Sequence, residues 1–497
     1  MMEEQCWEGE DGVAADVRYE HDSLGEVAVP ADVYWGAQTA RARENFPVSG
    51  QPPHPAFVRA MLQIKRAAAM ANMETGRLPA RIGDAIVQAA IEALGQVPAV
   101  PLAQPTGAAA GAPDLAGQWV VDPYQAGAGT SHNMNTNEVL ANRAQEILGA
   151  ARGTHTLVHP NDHVNMAQST NDTVPTALRL IGLELGTRLL RVLGRCAQAF
   201  ADKGDEFDDV LKAGRTHLQD AVPIRLGQEF SAYGRSVERG ARRIAQALEM
   251  LREVGLGGTA VGTGLNAEPE YLTAVVRHLS AGTGQPLRQA PDRCQSMQSL
   301  GDIGALSAAC RTLALDLNKI ANDLRLLASG PRTGLGEIIL PAVQPGSSIM
   351  PGKVNPVLCE MLNMVCYQVI GHDATIAMAS EAGQLELNVM MPVIAHNLAW
   401  ELTILEGGVA AFTERCLRGI QADPDRCRYW LERSAALSTA LAPKIGYEAA
   451  AKLTQDMLAT GRGIGELAVE HGLVQPAELE ALLDPEAMTS PGVPGRR

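Results

Sequence analysis

Residues 174–200 have the sequence VPTALRLIGLELGTRLLRVLGRCAQAF, in which apolar side chains recur every three or four positions. This period places them on one face of a helix. Pro175 suits the first turn of that helix, where no backbone N–H is needed. Similar stripes occupy 225–253, 302–327 and 356–380, each longer than the globular mean of about 11 residues. Long helices joined by Gly-rich connections predict a central helical bundle.

The length of the chain and the positions of its proline and glycine residues predict three domains. Its 497 residues allow three domains of about 150 residues each. We expect a mostly helical N-terminal domain at 1–168, the central bundle at 169–425 and a small C-terminal domain at 426–497. A Pro/Ala-rich insertion at about 97–114 is expected to be a surface loop or spacer. Strand-like alternation is scarce, so the predicted fold class is mainly α.

Composition and charge exclude several classes of protein. The chain is 46% apolar and 20% charged, which suits large cores and is unlike a disordered tail. A net charge of −15 argues against nucleic-acid binding, which needs Lys and Arg to neutralise phosphates. The longest uncharged stretch, 93–113, is broken by proline and glycine, so no membrane span is expected.

The cysteines and the first residues indicate a compartment. Eight cysteines are scattered without CxxC pairing, which is typical of free thiols in a reducing environment. The opening MMEEQCWEGEDG is acidic and has none of the regions of a signal peptide. The expected location is therefore cytoplasmic.

Several local patterns suggest other chemistries but fail on spacing. GSSIMPGK at 346–353 has five residues between its glycines instead of four, and Val354 stands where a P-loop needs Ser or Thr. Three histidines lie four residues apart, namely His155, His159 and His163. Pro160 would break the helix face that they need, so no metal site is expected there. GxSxG and HExxH do not occur, and GLGGTAVGTG at 255–264 does not fit GxGxxG.

Four polar, glycine-rich clusters interrupt the helical pattern. They are GAGTSHNMNTNEVLANRA at 127–144, HPNDHVNMAQSTNDTVPT at 159–176, GRTHLQDAVPIRLGQEF at 214–230 and PGSSIMPGKVNP at 345–356. Their hydroxyl and amide side chains, with the charge of Lys353, suit a small dicarboxylate substrate. STND at 169–172 looks like a cap before a helix that begins near Val174. A cap and a substrate site are compatible, since a helix N-terminus offers free N–H groups to a carboxylate.

In this order, the four clusters resemble the signature segments of the fumarase/aspartase superfamily. The resemblance extends from RYEHDSLGEVAVPADVYWGAQTARARENFPVSG at 18–50 to GYEAAAKLTQDML at 446–458 and MTSPGV at 488–493. It implies a homotetramer whose central helices pack into one large bundle, with active sites shared among three subunits. It also implies a reversible elimination that yields fumarate and requires neither a metal nor an organic cofactor.

Variable positions resemble the aspartate ammonia-lyase branch more than the fumarate hydratase branch. Ala128 stands where fumarases usually carry Ser, Thr170 replaces a fumarase-like Ser, and EAGQLELNVM at 381–390 is aspartase-like, as is LNAEPEY at 265–271. HPNDHVN and GGTAVGTG are forms typical of fumarases, and His217 stands where some aspartases have Gln. The resemblance thus implies conversion of L-aspartate to fumarate and ammonia, with interconversion of fumarate and L-malate as the alternative.

The resemblance also implies roles for individual residues. Ser347 would be the general base, in a mobile loop whose closure surrounds an alkoxide-like oxygen with backbone N–H groups and Lys353. On pKa alone, His217 is the more natural base. The β-carboxylate donors would be Thr130, Ser169, Thr170 and Ser348. The α-carboxylate would be held by Lys353 and Asn355, and the amino-group side would be lined by Asn171, Thr216 and His217. A second anion-binding segment known in fumarases is matched by His159, Asn161 and Asp162.

Two other classes stay open as alternatives. Some relatives in this superfamily are crystallin-like structural proteins, although this chain keeps the full set of catalytic residue types. Argininosuccinate and adenylosuccinate lyases share the GSSxMPxKxN loop but lack the GAGTSxNMN and EAGQLELNVM segments. The expected partners are further copies of this chain and a small dicarboxylate, with no nucleic acid and no membrane.

Overall fold

The computed structural model describes residues 16–99 and 113–493. Cys6 and most of the insertion predicted at about 97–114 lie outside the described residues. Helices dominate, so the mainly α prediction is confirmed. They are α1 (Ala37–Asn45), α2 (Pro55–Glu74), α3 (Ala80–Gln96), α4 (Thr130–Ile147), α5 (Thr170–Glu206), α6 (Leu226–Met250), α7 (Pro269–Thr283), α8 (Arg293–Gln298), α9 (Gly301–Leu327), α10 (Val357–Glu381), α11 (Met391–Arg415), α12 (Pro424–Arg433), α13 (Ser438–Ile445), α14 (Tyr447–Thr460), α15 (Ile464–Glu470), α16 (Pro476–Leu482) and α17 (Pro485–Met488).

Strands within these described ranges are short and pair two at a time, in agreement with the predicted scarcity. They are β1 (Val17–Asp22), β2 (Gly25–Pro30), β3 (Leu211–Thr216), β4 (Gln219–Arg225), β5 (Glu253–Val254), β6 (Arg288–Gln289), β7 (Ile338–Ile339) and β8 (Gln421–Ala422). The β1–β2, β3–β4 and β7–β8 pairs are antiparallel, whereas β5 and β6 are parallel.

The long helices match the apolar stripes of the sequence, with one difference at α5. The stripes at 225–253, 302–327 and 356–380 correspond to α6, α9 and α10. The start predicted near Val174 is wrong, because α5 begins at Thr170 and Pro175 lies inside it. The helix starts early because the Ser169 hydroxyl oxygen accepts from the Asn171 N–H, while the Asp172 carboxylate accepts from the Ser169 N–H. No described helix combines the length and apolarity needed to cross a bilayer.

The chain forms two compact units. Of the residues that the structure describes, those within 1–190, 242–312 and 368–406 form the first unit, and those within 191–241, 313–367 and 407–497 form the second. The three-domain boundaries expected from the sequence stay a prediction. In the first unit, β2 and helices α2 to α4 share a core in which Val29, Leu62, Ile86 and Leu140 are fully buried. In the same unit, a Cβ at Gly182 would lie 2.5 Å from Leu251 Cδ1, so α5 packs closely against the Leu251 side chain at this position.

The second unit contains a cluster of aromatic side chains. The chain has 6 phenylalanines, and several of them form one cluster with a tyrosine: Phe200, Phe207, Phe230, Tyr233 and Phe412. Helices α13 to α16 pack around a separate cluster that includes Leu441, Leu453 and Leu467. The second unit thus has a bundle core and a small C-terminal core.

Candidate active site

In the first unit, a strained turn places Thr130 at the start of α4. Ala128 has φ 63° and Gly129 has φ 90°, so the chain reverses before the helix. The Ala128 backbone N–H donates to the Val389 carbonyl at 2.8 Å. A Cβ at Gly127 would lie 2.9 Å from Val389 Cβ, so this close approach requires glycine. The GAGTS and EAGQLELNVM segments therefore touch, and Thr130 is exposed beside them.

The capping role predicted for this segment is confirmed at Ser169, while Thr170 and Asn171 form the first turn of α5; all three are candidate site residues. The Ser169 hydroxyl oxygen accepts from the Asn171 backbone N–H at 3.2 Å, which leaves the Ser169 hydroxyl hydrogen for another acceptor. The Asn171 side-chain NH2 donates to the Ala260 carbonyl at 2.8 Å, which leaves its amide oxygen as an acceptor. Thr170 is buried and accepts from Asn133 Nδ2 at 3.2 Å.

Asp172 holds this cap against the GGTAVGTG segment. Its Oδ1 accepts from the Ser169 N–H at 2.9 Å, and its Oδ2 accepts from the Gly257 and Thr259 N–H groups at 3.0 Å each. The side chain is fully buried. Burial raises the pKa of Asp172 to about 6, although the three backbone donors and Lys65 act in the opposite direction.

In the second unit, the β3–β4 hairpin presents Thr216 and His217. Thr216 pairs with Gln219 across the turn. His217 and Leu218 form this turn with φ of 55° and 59°. Two consecutive left-handed residues without glycine are costly, and such strain clusters at functional sites. Thr216 and His217 are both exposed.

The GSSIMPGKVNP segment of the second unit forms a closed loop. The Gly346 N–H donates to the Lys353 carbonyl at 2.9 Å, and Asn355 Nδ2 donates to the Gly346 carbonyl. A Cβ at Gly346 would lie 2.3 Å from that Lys353 oxygen, so only glycine fits there. The Ser347 hydroxyl oxygen accepts from the Ile349 and Met350 N–H groups at 3.2 and 2.9 Å. Ser348 and Lys353 are exposed.

His159 in the first unit acts as a helix cap. Its Nδ1 accepts from the Asn161 and Asp162 backbone N–H groups at 3.3 and 3.2 Å and lies 3.3 Å from Asp162 Oδ2. His155 has φ 47° and lies 3.4 Å from the buried Glu20 carboxylate. The described residues include no group of three or more side chains that could hold a metal ion.

The candidate residues thus fall into two sets. The first unit holds Thr130, Ser169, Thr170, Asn171, His159, Asn161 and Asp162, whereas the second holds Thr216, His217, Ser347, Ser348, Lys353 and Asn355. The sequence motifs did not indicate the buried charged residues Lys65, Lys212 and Glu337, and they indicated Asp172 only as part of the STND cap. For Lys65 a signal existed, because a lysine interrupts an apolar helical stripe in FVRAMLQIKRAAAMA at 57–71.

Two known protein families match the parts of the chain that contain these candidate residues and the C-terminal helices. The family described as lyase matches residues 25–371, and the family of the fumarase C C-terminus matches residues 437–490. The chain belongs to the fumarase/aspartase lyases. The superfamily resemblance of the four signature clusters is therefore confirmed.

Individual relatives of this lyase cover almost the whole chain. An aspartate ammonia-lyase of Bacillus subtilis (strain 168) is 49% identical over 485 residues, or 97% of this chain and 98% of that one. A class II fumarate hydratase of Neisseria meningitidis is 45% identical over 96% of this chain and 100% of the relative. The cobalt-bound fumarate lyase:delta crystallin of Brucella melitensis has a TM-score of 0.88 at 46% identity, over 96% of this chain and 100% of that chain.

Proposed function

We propose that the protein is an aspartate ammonia-lyase, which reversibly eliminates ammonia from L-aspartate to give fumarate. The 49% identity to such an enzyme over nearly the full chain supports this function. The aspartase-like segment at 381–390, which contacts the GAGTS turn through Val389, supports it as well. The second candidate is interconversion of fumarate and L-malate, favoured by HPNDHVN at 159–165 and by a fumarate hydratase at 45% identity.

The environment of the Ser347 hydroxyl is the observation that best supports an elimination reaction. A serine hydroxyl is far too weak a base at neutral pH unless its alkoxide is stabilised. Two backbone N–H groups, from Ile349 and Met350, already donate to this oxygen. Preorganised donors of this kind stabilise a negative oxygen without a reorganisation cost. Ser347 would therefore accept the proton from the carbon beside the β-carboxylate.

Removal of that proton develops negative charge on the β-carboxylate, which becomes an aci-carboxylate. Its electron pair then forms the double bond of fumarate, while the C–N bond breaks and the nitrogen leaves with the bonding pair as ammonia. Stabilisation of the aci-carboxylate would be the largest catalytic contribution. Its proposed donors are Thr130, Ser169, Thr170 and Ser348. The Ser169 oxygen already accepts a backbone N–H, so its hydrogen can point at the substrate.

The rest of the substrate would be bound by charge and by one amide oxygen. Lys353 and Asn355 would hold the α-carboxylate, and Lys353 would neutralise it. Asn171, Thr216 and His217 would line the amino-group side. Because Asn171 Nδ2 donates to the Ala260 carbonyl, its Oδ1 remains to accept from a substrate ammonium, which has donors only.

We also propose that the enzyme is a cytoplasmic homotetramer whose active sites each take residues from three subunits. The family membership supports this assembly. In such a site, residues of the two sets would come from different copies of the chain.

A second anion site at His159, Asn161 and Asp162 is a further part of this proposal. The His159 cap fixes the backbone of this segment, since its Nδ1 accepts two N–H groups and leaves Nε2 for another partner. Crystals soaked in a high concentration of succinate should show density at this segment. An empty segment beside an occupied Ser347 site would count against it.

The proposed function is tested by ultraviolet absorbance of fumarate, with L-aspartate and L-malate as parallel substrates. We expect fumarate from L-aspartate and little or none from L-malate. Turnover of L-malate without turnover of L-aspartate would favour the second candidate. Turnover of neither, in a folded tetramer, would favour a crystallin-like role.

A further inference from the structure

Lys65 is a buried lysine that the proposed chemistry does not yet use. It lies on α2 in the first unit and has no solvent exposure. Its ammonium donates to Asn165 Oδ1 and to Gln168 Oε1, each at 3.0 Å. Both acceptors belong to the segment that leads into the cap of α5. A fully buried charge is costly unless it has a specific partner or purpose.

The lysine fixes the orientation of the amides around it. A protonated lysine has three donors and no acceptor, so both amides must turn their oxygens toward it. Their NH2 groups are engaged elsewhere in agreement with this: Asn165 Nδ2 donates to the Gln168 carbonyl, and Gln168 Nε2 donates to the Val164 and Met166 carbonyls. The Asn165 oxygen is therefore an acceptor by necessity.

The direction of hydrogen bonding that Lys65 fixes at Asn165 extends through Asn133 to Thr170. Asn133 Nδ2 donates to that same Asn165 oxygen at 3.2 Å, and its second hydrogen reaches Thr170 Oγ1 at 3.2 Å. Thr170 Oγ1 is thus an acceptor on its buried side. It makes no other hydrogen bond among the described residues, so its own hydroxyl hydrogen is left to point away from the network.

We infer that Lys65 is a positioning residue, whose ammonium fixes through Asn165 and Asn133 the direction in which Thr170 donates its hydroxyl hydrogen to the substrate carboxylate. This inference rests on the proposed function, in which Thr170 is a carboxylate donor. A hydroxyl already oriented toward the developing aci-carboxylate does not reorganise during the reaction, which is the condition for effective electrostatic stabilisation.

The surroundings of Lys65 direct its ammonium to amide oxygens and not to a carboxylate. Burial lowers the pKa of Lys65 to about 7, and the Asp172 carboxylate opposes that shift. Among the described residues, Lys65 forms no ion pair with Asp172, whose two oxygens are occupied by three backbone N–H groups. The ammonium is therefore aimed at the amide chain that leads to Thr170.

A double-mutant cycle on the full-length protein tests the inference. Lys65→Met removes every donor at similar volume, and Thr170→Val removes the hydroxyl at similar shape. Loss of one preorganised donor typically lowers kcat by about 10²–10³-fold, and we expect each variant to fall in that range. Because both changes remove the same donor, the double variant should be about as slow as either single variant. Losses that multiply to about 10⁴-fold or more would overturn the inference.

Lys203→Met is the matched control for removal of a buried ammonium. Lys203 is 7% exposed and donates to Glu206 and to the Ile420 carbonyl, none of which is a candidate site residue. We expect the control to keep kcat while losing thermal stability comparably to Lys65→Met. Lys65→Gln, which can still donate to one amide oxygen, should recover part of the lost rate. Unchanged kcat in Lys65→Met would also overturn the inference.

Succinate affinity separates this inference from the proposed function. Succinate has the same carboxylates as the substrate but cannot react, so its Kd reports the orientation of Thr170 whichever substrate is turned over. We expect about a tenfold rise in Kd in Lys65→Met, in Thr170→Val and in the double variant alike. A wild-type enzyme that uses L-malate would overturn the proposed function but leave this cycle valid. An unchanged succinate Kd in Lys65→Met would overturn the inference alone.

Discussion

Arg215 Nη1 donates to both carboxylate oxygens of Glu337, each at 3.0 Å. Glu337 is fully buried, and the ammonium of Lys212 lies 3.4 Å from its Oε2. Arg215 directly precedes Thr216 and His217, whereas Glu337 directly precedes β7 on the way to the Ser347 loop. Within the second unit, this ion pair therefore connects the β3–β4 hairpin, which holds Thr216 and His217, to the segment that leads to the Ser347 loop.

Glu337→Gln should destabilise the protein. Removing one partner of a buried ion pair typically costs about 3–5 kcal/mol, and here it leaves Arg215 without its carboxylate partner, whereas Lys212 keeps Glu229 at 2.9 Å. We expect a loss of that order in the free energy of unfolding, measured by urea denaturation. Glu238→Gln, which breaks an exposed pair with Arg235, should change it by no more than about 0.5 kcal/mol. Equal effects of the two substitutions would contradict the role of Glu337.

Gly346→Ala should abolish most activity with little effect on the fold. The added Cβ would lie 2.3 Å from the Lys353 carbonyl oxygen, which closes the loop around Ser347. Since misplacement by about 1 Å can cost about 10²-fold, we expect at least that loss in kcat. Gly463→Ala is the control, because its Cβ would have no atom within 4 Å. A fully active Gly346→Ala enzyme would show that the loop geometry is not required.

Stability should fall with acid through a buried histidine. His54 is buried, and burial lowers its pKa from 6.5 to about 4. Between these values the unfolded chain binds more protons than the folded one, so stability rises with pH there and is lost as the pH falls from 6.5 through 4.

His54→Asn should remove that part of the pH dependence. An Asn oxygen can replace Nδ1 as the acceptor of the Ala56 N–H that caps α2. We expect the slope of unfolding free energy against pH to decrease in urea titrations of the variant. His21→Asn is the control, since the His21 side chain is 71% exposed. An unchanged slope in His54→Asn would mean that His54 does not titrate on unfolding.

The predicted sharing of active sites among subunits can be tested by mixing inactive variants. Thr170→Val and Ser347→Ala alter residues of the first and second set, respectively. After co-refolding, hybrid tetramers should contain some sites free of both substitutions and regain part of the wild-type rate. A mixture with no more activity than its two components would show that each site is built from a single chain.

Local patterns in the sequence predicted much of the fold and of the candidate site. The period of α6, α9 and α10 and the cap at Ser169 are set by neighbouring residues, so they could be recognised. Pro175 in a first helical turn predicts a start near Val174, whereas the cap begins α5 at Thr170. The left-handed turn at His217 and Leu218 contains no glycine or asparagine to signal it.

The supporting charged residues could not be predicted in the same way. Lys65 and Asn165 are 100 residues apart, and Arg215 and Glu337 are 122 residues apart. No spacing rule joins positions so distant, because their contact depends on how whole helices pack. A single lysine in an apolar stripe indicates a buried charge. Only the fold shows which amide oxygens accept hydrogen bonds from it.

The central claim is that Ser347 removes a proton from L-aspartate to give fumarate and ammonia. The most direct measurement is the rate of fumarate formation from L-aspartate by the wild type, Ser347→Ala and His217→Ala, each confirmed as a folded tetramer. A missing acid–base group typically lowers the rate by about 10²–10⁴-fold. We expect Ser347→Ala to lose activity to that extent or more, and His217→Ala to lose less. Near-normal turnover by Ser347→Ala, with that loss in His217→Ala instead, would contradict the account.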